Sequence, residues 1–294
     1  MNNKTKTIQK TTESNGTERK SLQELTLKDN FMFGAVMLDP EICRETLERI
    51  LGIKIFRVEV SREKSIVYNP EYKGVRLDIY AEDEKHTHYD VEMQALPHTS
   101  IEKRARYYHS QIDMELLLSG TLYSNLPDTY VIFICDFDPM NQGKYRYTQK
   151  KICEEIPELS MADGAHTIFL NTKGTNDDEV SPDLVRFLKY VGTPLSDSEK
   201  DFEDAFIQKL QSAVREIKAS REMGARYMTF LELLNDEREA GRKEGMEAGR
   251  KEGQEEERKQ IARNMLEQNM PVQDIMVCTG LTEEQIQNLK QNNV

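Results

Sequence analysis

Residues 76–94, RLDIYAEDEKHTHYDVEMQ, constrain this chain more than any other stretch. Two runs rich in Val, Ile, Leu and Tyr flank a polar centre at Glu84, Lys85 and His86, the pattern of two strands around a turn. A hairpin centred on Lys85 sets Asp78 opposite Glu92 and Arg76 opposite Gln94. Side chains alternate along a strand, so Val75, Leu77 and Ile79 share a face with Val91 and Met93, while Asp78, Glu92 and Gln94 share the other. Directly opposed Cβ atoms lie only about 4.5–5.5 Å apart, and like charges there destabilise the pair. The pattern therefore demands a positive charge between the two carboxylates.

Spacing alone leaves two readings of that pair open. Two carboxylates beside an amide oxygen suit a hard cation such as Mg²⁺, which takes oxygen ligands and keeps several waters. Such an ion lowers the pKa of a bound water and stabilises charge developing on a phosphate oxygen. The same residues also suit a solvated strand face on which Asp78 and Glu92 pair with Arg76 or Lys73.

Around the hairpin the periodicity changes. Phe31, Phe33, Val36, Met37, Ile42, Leu47, Ile50 and Leu51 recur at near-helical intervals and stop at Gly52, a helix C-cap position. Segments 53–68, 74–82, 87–95 and 129–137 read as strands. Between the last two, Thr99 to Glu102 fits a capping box, and Ile101, Ala105, Tyr108, Ile112, Leu116 and Ser119 follow one helical face. The order is αβββαβ. A further strand is expected at Thr167–Leu170, and 181–235 reads as helix throughout. Gly241, Gly245, Gly249 and Gly253 then recur every four residues among paired charges, either a solvated helical spacer or a stripe for close helix approach. Three short helical pieces follow, punctuated by Pro271 and Gly280, with Thr282 and Gln285 as another capping box. The expected organisation is a disordered head over 1–20, an α/β domain over 21–172, a helical extension over 173–235, the glycine spacer over 236–260 and a small helical bundle over 261–294.

Charge limits the possible partners. With Lys+Arg 40 against Asp+Glu 52 the 294-residue chain carries a net −12, which excludes indiscriminate coating of nucleic acid or an anionic membrane as its main task. Contact with DNA must use a local basic patch. Residues 141–151 supply one, with Lys144, Arg146, Lys150 and Lys151, Tyr145 and Tyr147 interleaved and no acid. The four cysteines contain no C-x-x-C pair, which favours a reducing compartment, and no apolar run is long enough to span a bilayer, so a soluble cytoplasmic protein is expected. Nucleophilic Ser or Cys motifs and a phosphate-binding P-loop are missing, and His86 and His88 fall at the hairpin turn, where they read as surface residues.

VRLDIYAEDE followed by VEMQ, with one Asp on the second strand and Glu-x-Gln on the third, resembles the PD-(D/E)xK nuclease superfamily, in particular its recombination-promoting nuclease and transposase (Rpn) branch. NFMFGAVM, ARYYHSQI, SGTLY and YVIFICDF are similar to flanking segments of that branch, and the likeness covers about residues 25–140. It implies an α/β fold with a restriction-endonuclease-like core (αβββαβ) and a mostly helical C-terminal region. It also implies that Asp78 and Glu92 bind Mg²⁺ or Mn²⁺, with Gln94 standing where most of the superfamily has the catalytic lysine. An amide can orient a water but cannot supply ammonium charge. Lys103, Arg104 and Arg106 are candidates to replace it, Arg104 first because it borders the buried face. Asn30 stands where the branch often has Asp, and its expected role is to cap a helix.

The function so implied is that of a Mg²⁺-dependent endodeoxyribonuclease in recombination or mobile-element biology. Asp78, Glu92, Gln94 and Arg104 would carry the chemistry, and Lys144, Tyr145, Arg146, Lys150 and Lys151 would grip DNA phosphates. The alternative is a non-catalytic DNA-binding or scaffold protein that keeps the nuclease fold. The C-terminal helices are expected to make a homo-oligomer. A helix-turn-helix reading of 261–290, suggested by Thr279-Gly280-Leu281-Thr282, ranks below a dimerising or regulatory bundle because Glu283 and Glu284 make its reading helix acidic.

Overall fold

A computed structural model describes residues 20–66, 74–159 and 162–291; the expectations for residues 1–19 and for Lys73 fall outside these. The chain enters through two helices. The first, α1 (Asn30–Met37), buries Phe31, Met32, Phe33, Val36 and Met37. Its N-cap position is held by Asp29, whose carboxylate turns back to accept the Thr26 amide N–H at 2.7 Å and pairs with Lys20. Asn30 is therefore the first helical residue and does not cap. In α2 (Pro40–Leu51) the Asp39 carboxylate accepts from the amides of Glu41 and Ile42, and proline stands where a free N–H would otherwise be wasted. The helix stops at Gly52, which takes the left-handed φ of 73° and donates to the Glu48 carbonyl.

Three strands follow, β1 (Val58–Ile66), β2 (Val75–Asp83) and β3 (His88–Gln94), as an antiparallel meander. Helix α3 (Ile101–Leu116) crosses over to β4 (Thr129–Cys135), which runs parallel to β3. The sheet is completed by β5 (Arg146–Gln149) and β6 (Ala165–Asn171), giving the order β1-β2-β3-β4-β6-β5. The α, β, β, β, α, β succession is thus the one the periodicity implies. Strand β5 lies in the stretch expected to supply the basic patch. The start of α3 also differs, since Ser100 adopts a left-handed φ of 64° directly before the helix and no side-chain cap bond forms in place of the Thr99–Glu102 box.

One face of the sheet is sealed by α3. Ile101, Ala105, Tyr108 and Ile112 pack on Tyr80 of β2, on Val131, Phe133 and Cys135 of β4, and on Phe169 of β6. Beyond the sheet, 181–235 is not one helix but α4 (Pro182–Val191), α5 (Ala205–Ala219) and the first part of α6 (Arg221–Glu267). Two short turns separate α4 from α5, and Asp204 caps α5 while taking Arg49 and Arg186 on its carboxylate.

The chain divides into two compact units, residues up to Tyr227 and residues from Met228, with α6 running through the division. In the second unit α7 (Val272–Thr279) ends at Gly280, which is left-handed at φ 70°. Helix α8 (Glu283–Gln291) opens with the expected reciprocal cap: Thr282 N–H donates to Gln285 Oε1 at 2.8 Å and Gln285 N–H to Thr282 Oγ1 at 3.3 Å. Ala262, Ile275, Leu281 and Ile286 form its core.

Candidate active site

Strands β2 and β3 pair in the register set by a turn at Lys85, with Ile79 across from Val91 and Tyr80 across from Asp90. Two residues further along, Asp78 and Glu92 meet. The Asp78 amide donates to Glu92 Oε1 at 2.9 Å, and the Met93 amide donates to Asp78 Oδ2 at 3.2 Å. Each carboxylate is thus fixed by the other strand's backbone, a geometry that any slip of register would destroy.

The face they share is largely buried, with Asp78 and Gln94 half-exposed at its end. Glu92 lies beside Phe133 in the register and is 1% exposed, because β3 is an interior strand and α3 covers that side. The positive charge demanded by the opposed acids comes from α3. Arg104 Nη2 lies 2.6 Å from Glu92 Oε2, its Nη1 donates to Gln94 Oε1 at 2.8 Å, and its Nε donates to the Tyr108 hydroxyl at 2.8 Å. The guanidinium also lies 5.0 Å from the Tyr108 ring centroid and 5.3 Å from that of Phe133. Of the three basic candidates on α3, Arg104 is the one turned to the carboxylates, while Lys103 and Arg106 are exposed. Gln94 is engaged at both ends, its oxygen by Arg104 and its amide donating to the Leu96 carbonyl at 2.8 Å. Its amide orients the guanidinium.

A third acid, Asp90, shares this interior. It precedes Glu92 by two residues on the same strand, is 0% exposed, and neither of its oxygens has a hydrogen-bond partner. Burial, then the charges of Glu92 and Asp78, hold its carboxyl far above the ordinary carboxylate range. Burial and the Asp78 charge push Glu92 up as well, with Arg104 pulling it back down. Glu92 has a cation beside it and Asp90 has none, so of the two Asp90 is the more strongly held in its protonated form. Sequence reading passed over Asp90 although the two-residue alternation that placed Glu92 on this face places Asp90 there too.

The basic stretch fares differently. Tyr145, expected at the DNA surface, is 2% exposed and packs where Gly174 leaves room, a Cβ there falling 2.4 Å from the ring. Lys144 pairs with Glu179 at 2.7 Å, Arg146 Nη1 donates to the Ile50 carbonyl at 2.7 Å, and Lys151 pairs with Asp163. Lys150 is exposed and, with Lys151, lines a cavity of about 680 Å³ in which Asp113 and Asp163 offset the cations. The five residues therefore do not form one open phosphate-gripping patch, and β5, which carries Arg146, is separated from β3 by β4 and β6. The two turn histidines also part company. His86 bonds Glu82 at the turn, whereas His88 is buried and shares a 2.7 Å bond with the Tyr80 hydroxyl.

Among the described residues no three His, Cys, Asp or Glu side chains form a ready-made metal cluster. The donor set nevertheless fits a hard cation, because Mg²⁺ is commonly held by one or two carboxylates and completes its shell with water and substrate phosphate. Asp78 and Glu92 are two such carboxylates fixed in mutual register, and the oxygens of Asp90 lie two residues from Glu92 on the same strand. Cys43, Cys135, Cys153 and Cys278 are all free thiols, and among the described residues no helix is long and apolar enough to cross a membrane.

Two sequence families match the chain. The profile of the PD-(D/E)XK nuclease family transposases covers residues 30–244, and that of the Rpn/YhgA-like nuclease family C-terminal HTH domain covers residues 255–291. The second match overturns the preference for a dimerising bundle over a helix-turn-helix: α7, the Gly280 turn and α8 lie within it. The acidity of α8 misled because the motif is held by the apolar spacing of Ile275, Leu281 and Ile286, which charge on the outer face leaves intact. No curated protein and no solved structure matches.

Proposed function

The chain belongs to the PD-(D/E)XK nuclease family transposases, with a restriction-endonuclease-like α/β core, and from that premise we propose that it is a cytoplasmic, metal-dependent DNA endonuclease acting in recombination or the movement of mobile elements. The observation that carries this reading is the cross-strand pair of Asp78 and Glu92, each fixed by the opposite backbone and facing one arginine.

Asp78 and Glu92 would hold Mg²⁺ or Mn²⁺. Bound there, the ion supplies a water of lowered pKa and a counter-charge for the phosphate oxygen. The other residues set up the reaction around it. Arg104, whose planar fork matches phosphate geometry, meets the scissile phosphate and stabilises the charge that develops on it. Gln94 steers Arg104 and, when the guanidinium turns to substrate, is released to orient the attacking water. Tyr108 and Phe133 wall the site and keep its dielectric low, which strengthens each of these interactions. DNA is delivered by the C-terminal helix-turn-helix, since the basic stretch at 144–151 has spent most of its charge internally.

One observation favours a second reading. Both oxygens of Glu92 are already occupied, by the Asp78 amide and by Arg104, as in a DNA-binding protein that has kept the fold and lost the metal. Incubating the purified full chain with supercoiled plasmid separates the two. Nicking that requires Mg²⁺ or Mn²⁺ and stops on adding EDTA supports the nuclease; binding without nicking in either metal supports the second reading.

A further inference from the structure

Glu92 offers two oxygens, and each has a distinct kind of partner. Oε1 accepts from the Asp78 amide, a backbone donor that sits just beyond the paired residues Ile79 and Val91 and is held in place by its strand. Oε2 takes Arg104, which belongs to α3 and whose side chain is flexible. If Glu92 is to ligate a cation, the oxygen that can be freed is Oε2, and the group that must leave is the guanidinium. The site prepares for that departure. Arg104 is the charge that compensates two opposed acids with a third, partnerless carboxyl two residues away, so removing it without replacement would leave buried negative charge unbalanced. A divalent cation is such a replacement.

We infer that Arg104 is a resident stand-in for the metal: guanidinium and divalent cation compete for Glu92 Oε2, so that loading the metal releases Arg104 toward the substrate phosphate. The inference rests on the proposed metal-dependent site and adds that one residue both holds the acids together and is armed by the ion that displaces it. Such coupling keeps the phosphate-binding arm folded away until the metal is present. Arg104 is a positioning residue of the acid cluster before it is a substrate contact.

The test is metal binding, read without cleavage. Mn²⁺ is titrated calorimetrically into the full chain, its Arg104→Gln variant and a Lys103→Gln control that removes an exposed charge from the preceding position of the same helix. Arg104→Gln is expected to bind Mn²⁺ about tenfold more tightly or better than wild type, because a like charge a few ångströms from the ion is gone. Lys103→Gln is expected to match wild type. Arg104→Lys, which keeps the charge without the fork and preserves the fold should the glutamine variant fail, is expected to fall between. In parallel, the ¹⁵N Nε–H resonance of Arg104, whose Nε–H donates to the Tyr108 hydroxyl, should shift as Mg²⁺ is added.

Equal Mn²⁺ affinity in wild type and both Arg104 variants, or an Nε–H resonance unmoved at Mg²⁺ saturation, would overturn the inference and leave the metal site standing. An equal gain in Lys103→Gln would overturn it too, since net charge and not competition would then be the cause. Asp78→Ala separates the underlying reading: if it binds Mn²⁺ as wild type does, or if wild type binds none, the metal site itself fails and the inference with it.

Discussion

The acids of β2 and β3 are gathered under α3 against one cation, whereas the cations of 144–151 are scattered, Lys144, Arg146 and Lys151 each to its own acid or carbonyl and Lys150 to the surface. Both stretches attract attention in the sequence because charge is concentrated there. The fold concentrates it further in the first and disperses it in the second. Asp78, Asp90 and Glu92 share a face by strand alternation, and β3 is interior, so the charges of Asp90 and Glu92 cannot escape to solvent and are offset by a proton and by Arg104. Residues 144–151 approach and enter the edge strand β5, where loops bring Glu179 and Asp163 within reach and solvent screens what remains. Buried charge without a full set of partners is what sets a candidate site apart from a charged surface.

Removing the cation from the first region should produce the largest change. Arg104→Met leaves Glu92 buried without its counter-charge, and we expect a loss of about 3 kcal/mol in urea unfolding of the metal-free protein, at the low end for a broken buried pair because Glu92 can take up a proton. A loss below about 1 kcal/mol would mean the pair behaves as a surface ion pair and the contrast fails.

A smaller effect lies in the pH dependence. The raised carboxyls of Asp90 and Glu92 mean that the folded chain holds more protons than the unfolded one above the ordinary carboxylate range. Their contribution to stability is therefore complete below about pH 4 and is lost as pH rises through the folded values. Urea midpoints of the metal-free protein, compared at acidic and mildly alkaline pH, should show wild type losing more than Asp90→Asn. Parallel profiles for the two would show that Asp90 does not hold the proton.

The smallest effect belongs to the second region. Lys144→Ala removes an exposed pair with Glu179 and should change stability by no more than about 0.5 kcal/mol. The same substitution should leave the salt dependence of DNA binding unchanged, where one lost phosphate contact would lower its slope by about 0.9. A change of that size would restore the basic stretch as a DNA contact.

How far the sequence could foresee this contrast follows from the range of the interactions. The opposition of Asp78 and Glu92 needs only a turn centre and a period of two, both local, and the choice of Arg104 over its neighbours needs only the helical face of Ile101, Ala105 and Tyr108. Asp90 carried the same local signal, but an acid in a strand is ordinarily solvated, and only the crossover of α3 and the pairing with β4 make this one buried. The fate of 144–151 was not local at all. Lys144 meets Glu179, and Tyr145 is buried because Gly174, in a distant loop, has no side chain to exclude it. Helix through the four glycines of α6 was legible, since both readings of that stretch made it helical; which of the two holds was not. A Cβ at Gly241, Gly245, Gly249 or Gly253 would meet no described atom within 4 Å, so the stripe neither breaks the helix nor packs against a described neighbour.

The measurement that tests the central claim most directly is plasmid nicking by matched proteins, wild type against Asp78→Asn and Glu92→Gln, in Mg²⁺ and in Mn²⁺, after circular dichroism has confirmed that all three are folded. If the two carboxylates work together as a metal site, each variant should lose at least about a hundredfold in rate in both metals, a loss on the scale of removing a group that stabilises transition-state charge. Wild-type rates in either variant would contradict the account.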